Sequence, residues 1–142
     1  MILNMDHFNM TVSDLDRSVD FYQRAFGFEV DRSFDTESST IAELSGFDSV
    51  HLKMAIMNLG TTRMGLLQYL SPASTTDLQL GMNDVGASIL VFNTDDVQAE
   101  YERLLKMGVP FKTGPRGDPQ AHIIAAQGLD PDGVTFEIVE RV

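Results

Sequence analysis

The chain has 142 residues, of which 10 are Lys or Arg and 21 are Asp or Glu, giving a net charge of −11 with histidine neutral. Tight nucleic-acid binding rests on neutralising phosphates with Lys and Arg, so neither nucleic acid nor an anionic membrane surface is an expected partner. A hydrophobic fraction of 43% suffices for the core of one domain, and the lack of cysteine removes disulfides, thiol nucleophiles and Cys-based metal centres, leaving only N and O ligands for any metal.

The start, MILNMDHFNM, has neither the basic region nor the long apolar run of a signal peptide. No stretch reaches the roughly 18 apolar residues of a membrane helix, so a soluble cytoplasmic protein is expected. Residues 2–12 alternate, with Phe8, Met10 and Val12 on one parity and His7, Asn9 and Thr11 on the other, which predicts a strand with one buried face. Ser13 stands where an N-cap belongs, Asp14 and Asp16 fill a first turn, and Leu15, Val19, Tyr22 and Phe26 follow at helical spacing until Gly27. Strands are predicted over 28–34, 50–59 and 64–70, with a polar loop over 35–49 and a tight turn at Gly60-Thr61-Thr62. The order is β-α-β-β-β.

Ser71 to Val85 is polar and reads as connecting chain, after which the same grammar returns. A strand is predicted over 88–93, a cap at Thr94 or Asp95, and a helix carrying Val97, Tyr101 and Leu104 up to Gly108. Strands over 109–113, 122–127 and 134–139 follow, the last two joined through Leu129-Asp130-Pro131-Asp132-Gly133. The chain therefore reads as an internal duplication, with module one over 1–72, a linker over 73–85 and module two over 86–142. Aligning the helix starts sets Asp14 on Asp96 and so His7 on Ile89. Aligning the closing strands sets Gly65 on Glu137.

Period 2 places Phe8, Met10, Val12, Leu52, Met54, Ile56, Phe92, Phe136 and Ile138 against the helices. The opposite face then carries His7, Asn9, His51, Lys53, Gly65, Leu67, Tyr69, Ile89, Val91, Thr135 and Glu137. Such a half-polar face is expected to curl around a ligand or to meet another chain, because a flat exposed apolar patch would aggregate.

In MDHFNMTVSDLDRSVDFYQRAFGFEV, MGLLQYLSP, GASILVFNTDDVQAEYERLLKMGVPF and DPDGVTFEIVE, taken in order with the duplication, the chain resembles the vicinal oxygen chelate superfamily of glyoxalases, extradiol dioxygenases and bleomycin or fosfomycin resistance proteins. The resemblance implies an α+β fold of two tandem β-α-β-β-β modules forming a U-shaped eight-stranded mixed sheet around a cleft, commonly as a homodimer. In metal-dependent members of such a family a His on the first strand, an acid or Gln on the fourth, a His on the fifth and a Glu on the eighth hold one divalent ion. By position these fall on His7, Gly65, Ile89 and Glu137. Only His7 and Glu137 can ligate, and Gln68 has the wrong parity to substitute for Gly65 unless a bulge shifts the strand. One imidazole and one carboxylate hold a divalent metal weakly, so the expectation is no cofactor or a weakly held metal.

Three functions follow from this reading. The first is a small-molecule enzyme acting by proton transfer, as an isomerase, cyclase or lyase, on a hydrophobic oxygenated substrate, with His7 and Glu137 catalytic. Asn9, His51, Leu67, Tyr69, Ile89 and Val91 would line the substrate site, with Tyr69 or His51 polarising a carbonyl. The second is a protein that sequesters an aromatic or drug-like molecule unchanged, favoured by Leu67, Ile89 and Val91. The third keeps a metal completed by His51, His122 or a second copy of the chain. Tyr22 and Tyr101 are read as core. Lys112 and Arg116 beside TGPRGDP are read as a solvated turn, with an anion clamp as the alternative.

Overall fold

The computed structural model describes residues 1–76 and 80–142; of the linker expected over 73–85, residues 77–79 lie outside the described residues. The chain divides into two compact units, Met1–Asp77 and Leu78–Val142. Eight strands in two four-stranded mixed sheets and three helices give the expected α+β fold of two β-α-β-β-β modules.

In the first unit the elements are β1 (Phe8–Thr11), α1 (Leu15–Phe26), β2 (Glu29–Glu37), α2 (Ser39–Ser45), β3 (His51–Leu59) and β4 (Thr62–Ser71), with sheet order β1-β4-β3-β2. The first and last strands pair in parallel, and the other pairings are antiparallel. In the second unit β5 (Ile89–Asn93), α3 (Val97–Lys106), β6 (Arg116–Asp118), β7 (Ile123–Leu129) and β8 (Thr135–Arg141) repeat the plan in the order β5-β8-β7-β6.

Each helix begins for the same local reason. Asp14 is extended and its carboxylate accepts from Arg17 N, while Asp96 is extended and accepts from Ala99 N. These two aspartates, which the sequence alignment superposed, are thus the true N-caps. Ser13 and Thr94, expected in that role or beside it, do other work: Ser13 Oγ accepts from Arg17 Nη2 at 2.8 Å, and Thr94 Oγ1 accepts from Asp96 N at 3.2 Å. Gly27, at φ 78°, closes α1 in the left-handed conformation that a side chain resists.

A second tie anchors each helix start to the last strand of its own module. Gln68 Oε1 accepts from Leu15 N at 3.0 Å, and Glu140 Oε2 accepts from Val97 N at 3.0 Å. Gln68 and Glu140 stand three residues after Gly65 and Glu137, so the duplication extends to side-chain hydrogen bonds. Each supplies an acceptor to a first-turn N–H that has no partner within the helix. Around these ties Tyr22, Met57, Met64 and Leu66 fill the first core and Leu104, Phe136 and Ile138 the second, all at most 3% exposed.

Three local expectations are corrected. The loop over 35–49 contains α2, capped by Ser38, whose side chain accepts from Ile41 N, and closed by Gly46 at φ 76°. The strand over 109–113 is reduced to one bridge between Phe111 and Gly128, and Arg116–Asp118 pairs with β7 instead. Third, the faces of β3 are reversed. Across the β3–β4 ladder Leu52, Met54 and Ile56 lie opposite Tyr69, Leu67 and Gly65, while Lys53 and Ala55 lie opposite Gln68 and Leu66. Opposed residues share a face, so Leu52, Met54 and Ile56 belong with Gly65, and Lys53 and Ala55 sit with Leu15 and Val19 of α1. A register shift between His51 and Leu52 marks where the alternation breaks.

Two substitutions test this arrangement with opposite signs. Gln68→Leu removes the acceptor at the start of α1 and is expected to lower unfolding free energy by about 1 kcal/mol in urea denaturation. Ser18→Ala is expected to be neutral or to stabilise by up to about 1 kcal/mol, because the Ser18 hydroxyl is fully buried with no hydrogen-bond partner among the described residues. A clear loss of stability in Ser18→Ala would show that this hydroxyl is satisfied.

Candidate functional site

The face of each sheet turned away from α1 or α3 is where the candidate residues gather. In the first unit Asn9 on β1 lies opposite Gly65 on β4, which lies opposite Ile56 on β3. Thr11, Leu67 and Met54 form the next row. In the second unit the matching row is Val91, Glu137 and Gln127. Both modules thus hold the same register, and Asn9, Gly65 and Ile56 correspond to Val91, Glu137 and Gln127.

Gly65 leaves a vacancy that its neighbour fills. A Cβ built there would collide with Asn9 Oδ1 and come within 2.9 Å of Met54 Cε. The Asn9 amide therefore occupies the space a fourth-strand ligand would need, and Gly65 is the residue that lets it lie there. Gln68 does not replace that ligand, because its amide is turned to the α1 start.

His7 lies just before β1, and its Nδ1 pairs with Asp6. Asp6 also lies 3.7 Å from Arg63 Nη1, and Arg63 Nη2 binds Asp31 at 2.8 Å, so His7 stands at the edge of an ionic cluster. The His7 hydrogen bond holds the Asp6 carboxyl below its usual range, and the Arg63 hydrogen bond, with Arg32 second, does the same for Asp31.

His51 does not share the Gly65 face as expected. Its Nε2 meets Asp35 Oδ1 at 2.6 Å and its Nδ1 lies 4.0 Å from Glu37, both on neighbouring β2. Lys53 shares the α1 side with Asp16 and Asp35. Tyr69 keeps the predicted face but is covered by α2 and the chain after it. Its ring packs edge-on to Phe47 at 6.0 Å, its hydroxyl is 3.4 Å from Ser45 Oγ, and Leu52, Val50 and Ala42 form the small core beneath. His51 is thus turned away from the face on which a carbonyl-polarising role was expected, while Tyr69 stays on it, half-buried. Tyr22 is fully buried in the core as expected, and Tyr101 is half-buried with its ring edge-on to Phe111 at 4.8 Å.

In the second unit Glu137 is half-buried, and its Oε2 accepts from Gln127 Nε2 at 2.9 Å. Ile89 and Val91 on the same face are 38% and 56% exposed, so the carboxylate sits beside uncovered apolar side chains. Gln127 was not singled out from sequence. The signal that finds it is its position opposite Glu137 in the β7–β8 ladder, which needs the register rather than a motif.

These residues do not fit the four-ligand metal site that the resemblance implies. Gly65 has no side chain, its space is taken by Asn9, and Ile89 is aliphatic. The His7 ring is engaged by Asp6, His51 by Asp35, and His122 sits at φ 53° in an exposed turn. No group of three or more His, Asp or Glu positioned to hold a metal ion occurs among the described residues.

The duplicated β-α-β-β-β module, with the same register in each sheet, defines a class of paired-module proteins. The model of the Glyoxalase/Bleomycin resistance protein/Dioxygenase superfamily matches residues 4–138, and the chain belongs to that superfamily. Among solved structures, a glyoxalase family protein from Bacillus cereus is similar at TM-score 0.90 and 20% identity, over 100% of this chain and 96% of that one. The fosfomycin resistance protein FosX of Listeria monocytogenes is similar at TM-score 0.69 and 19% identity, over 100% and 96%. The trypanothione-dependent glyoxalase I of Leishmania major is similar at TM-score 0.67 and 21% identity, over 98% and 87%. At these identities the likeness concerns the fold. No curated protein matches in sequence. Among the described residues no helix is long and apolar enough to cross a membrane.

Two outcomes are expected here. Gly65→Ala should lower stability by about 1–3 kcal/mol, and most of that loss should disappear when Asn9→Ala is added, a coupling read from a double-mutant cycle in denaturant. Second, a lowered carboxyl pKa contributes stability above the ordinary carboxylate range and loses it as pH falls through the folded-state value. Arg63→Met should therefore raise the Asp31 midpoint in a carboxyl NMR titration. An unmoved midpoint would take Arg63 out of the explanation.

Proposed function

We propose that the protein is a metal-independent small-molecule enzyme of its superfamily, moving a proton on a hydrophobic oxygenated substrate that lies on the face bearing Ile89, Val91 and Glu137. The observation that carries this reading is the Gln127–Glu137 hydrogen bond beside the accessible apolar side chains of Ile89 and Val91. Gln127 holds Oε2 and so fixes the carboxylate, while Oε1 has no hydrogen-bond partner among the described residues. An oriented carboxylate with one free oxygen is suited to general base catalysis: Oε1 takes a proton from a carbon next to a carbonyl and returns it at a neighbouring atom. The net change is an isomerisation; where the carbanion instead expels a leaving group, a double bond forms and the proton on Oε1 passes to that group or to water, which is an elimination. His7, paired first with Asp6, is not needed for this step.

A second reading, sequestration of an apolar ligand without reaction, draws on the asymmetry of the modules. Where module two has Glu137 and Gln127, module one has Gly65 and Ile56, neither of which is an acid or a base.

Glu137→Gln, nearly isosteric, is expected to lower turnover about a hundredfold or more while leaving ligand affinity within a few-fold. Turnover equal to wild type would remove Glu137 from the chemistry. Recovery of every bound candidate ligand unchanged in mass, with saturable binding, would favour sequestration.

A further inference from the structure

We infer that the ligand of the module-two face is an apolar acid whose carboxylate is received by Lys112, with Arg116 as a second positive charge on the same face. This inference rests on the proposed reading of that face as the ligand surface and adds the substrate class.

Lys112 is exposed in a bend, as the reading of a solvated turn expects, and its side chain is engaged as well. Its Nζ donates to Thr135 Oγ1 at 3.3 Å, and the Thr135 hydroxyl donates in turn to Met82 Sδ at 3.2 Å. Thr135 is only 6% exposed, so the ammonium is tied to a buried anchor at the start of β8. Thr135 and Glu137 are two residues apart on one strand, which sets their Cα atoms about 6.6 Å apart on the same face. Arg116 pairs across from Ala125, two residues before Gln127, and so borders the Glu137–Gln127 row at its other end. The two cations therefore stand on the β7 side of the carboxylate proposed to move the proton, toward either end of its row, and Ile89 and Val91 on β5 form the apolar flank on its other side.

The charges are notable for what they lack. In a chain of net charge −11 most arginines find an acid: Arg24 pairs with Asp20, Arg32 and Arg63 with Asp31, and Arg103 with Glu100. Lys112 and Arg116 have no carboxylate partner among the described residues; Arg116 Nη1 is spent on the Pro115 carbonyl at 3.1 Å. An ammonium has three donors, and Thr135 uses one, which leaves two for an anionic oxygen. A charge-assisted bond formed beside apolar side chains is stronger than one in open water. A neutral oxygenated ligand would accept from those donors but would leave the positive charge without a counterion, so charge complementarity selects an acid.

The test uses the full chain with two probes of equal shape, 1-naphthaleneacetate and 1-naphthaleneacetamide, titrated while methyl NMR signals of Ile89 and Val91 are followed. Wild type is expected to bind the acid about tenfold more tightly than the amide, with both probes shifting those methyls. Lys112→Met should bring the two affinities together by weakening the acid alone, and Lys112→Arg should restore the preference. Equal wild-type affinities, or a preference unchanged in Lys112→Met, would overturn the carboxylate assignment while the shifts at Ile89 and Val91 keep the face as a ligand surface. No shift at Ile89 or Val91 with either probe would overturn the reading of the face and the inference with it.

Discussion

The hydrogen bond from the last strand of each module to the first turn of its helix is the constraint from which the site geometry follows. Gln68 accepts from Leu15 N and Glu140 accepts from Val97 N. For either contact to form, its residue must point to the helix side of the sheet. Alternation then forces the residue three positions earlier onto the opposite face. Gly65 and Glu137 are placed on the open faces in this way. A one-residue slip of β4 or β8 would break the helix anchor and turn the open-face side chains into the core, which makes the register expensive to change.

The same constraint explains what could be read from the sequence and what could not. The two helices and the alignment of their starts, Asp14 on Asp96, follow from local chemistry, although the caps were expected at Ser13 and at Thr94 or Asp95, and so did the duplication and the register equivalence of Gly65 and Glu137. The faces of β3 did not. Met54, Ala55, Ile56 and Met57 are consecutive apolar residues, so period 2 has no contrast there, and the polarity of His51 and Lys53 pointed the wrong way. Their polar groups are accommodated on the α1 side by Asp35 and by the groove edge rather than by a ligand surface. The helix α2 carried signals at both ends, Ser38 and Gly46, but seven residues with one fully buried side chain give little periodicity to detect. The segment after Gly108 failed for a different reason. Pro110 has no N–H to give a ladder, and Phe111 is spent packing edge-on against Phe136 at 5.6 Å, above the close approach that Gly128 allows.

Duplication with a shared backbone register has left the two modules chemically unequal. Equivalent positions carry Asn9, Gly65 and Ile56 in one and Val91, Glu137 and Gln127 in the other. At Gly65 a donor has been traded for space, and that space is filled by an amide from the neighbouring strand, so restoring a ligand there would require removing Asn9 as well. At Glu137 the donor persists, and its partner is an uncharged amide. That choice matters for proton transfer. An arginine opposite Glu137 would stabilise the carboxylate and weaken it as a base, whereas Gln127 fixes one oxygen without supplying a full countercharge.

An uncharged partner at Gln127 also changes what a ligand charge does. A carboxylate bound near Glu137 would ordinarily repel it, and two like charges on one apolar face would push one of them toward protonation. Lys112 at the Thr135 end and Arg116 beyond Gln127 supply positive charge toward either end of that row without contacting Glu137 in the described structure. They can offset the ligand's charge while Glu137 keeps its free oxygen for the proton. The large acidic excess of the rest of the chain makes this local balance selective: an anion is disfavoured over most of the surface and favoured where the unpaired cations stand. Affinity for an apolar acid would then fall with added salt, whereas affinity for its amide would not, because only the acid depends on a charge pair that mobile ions screen.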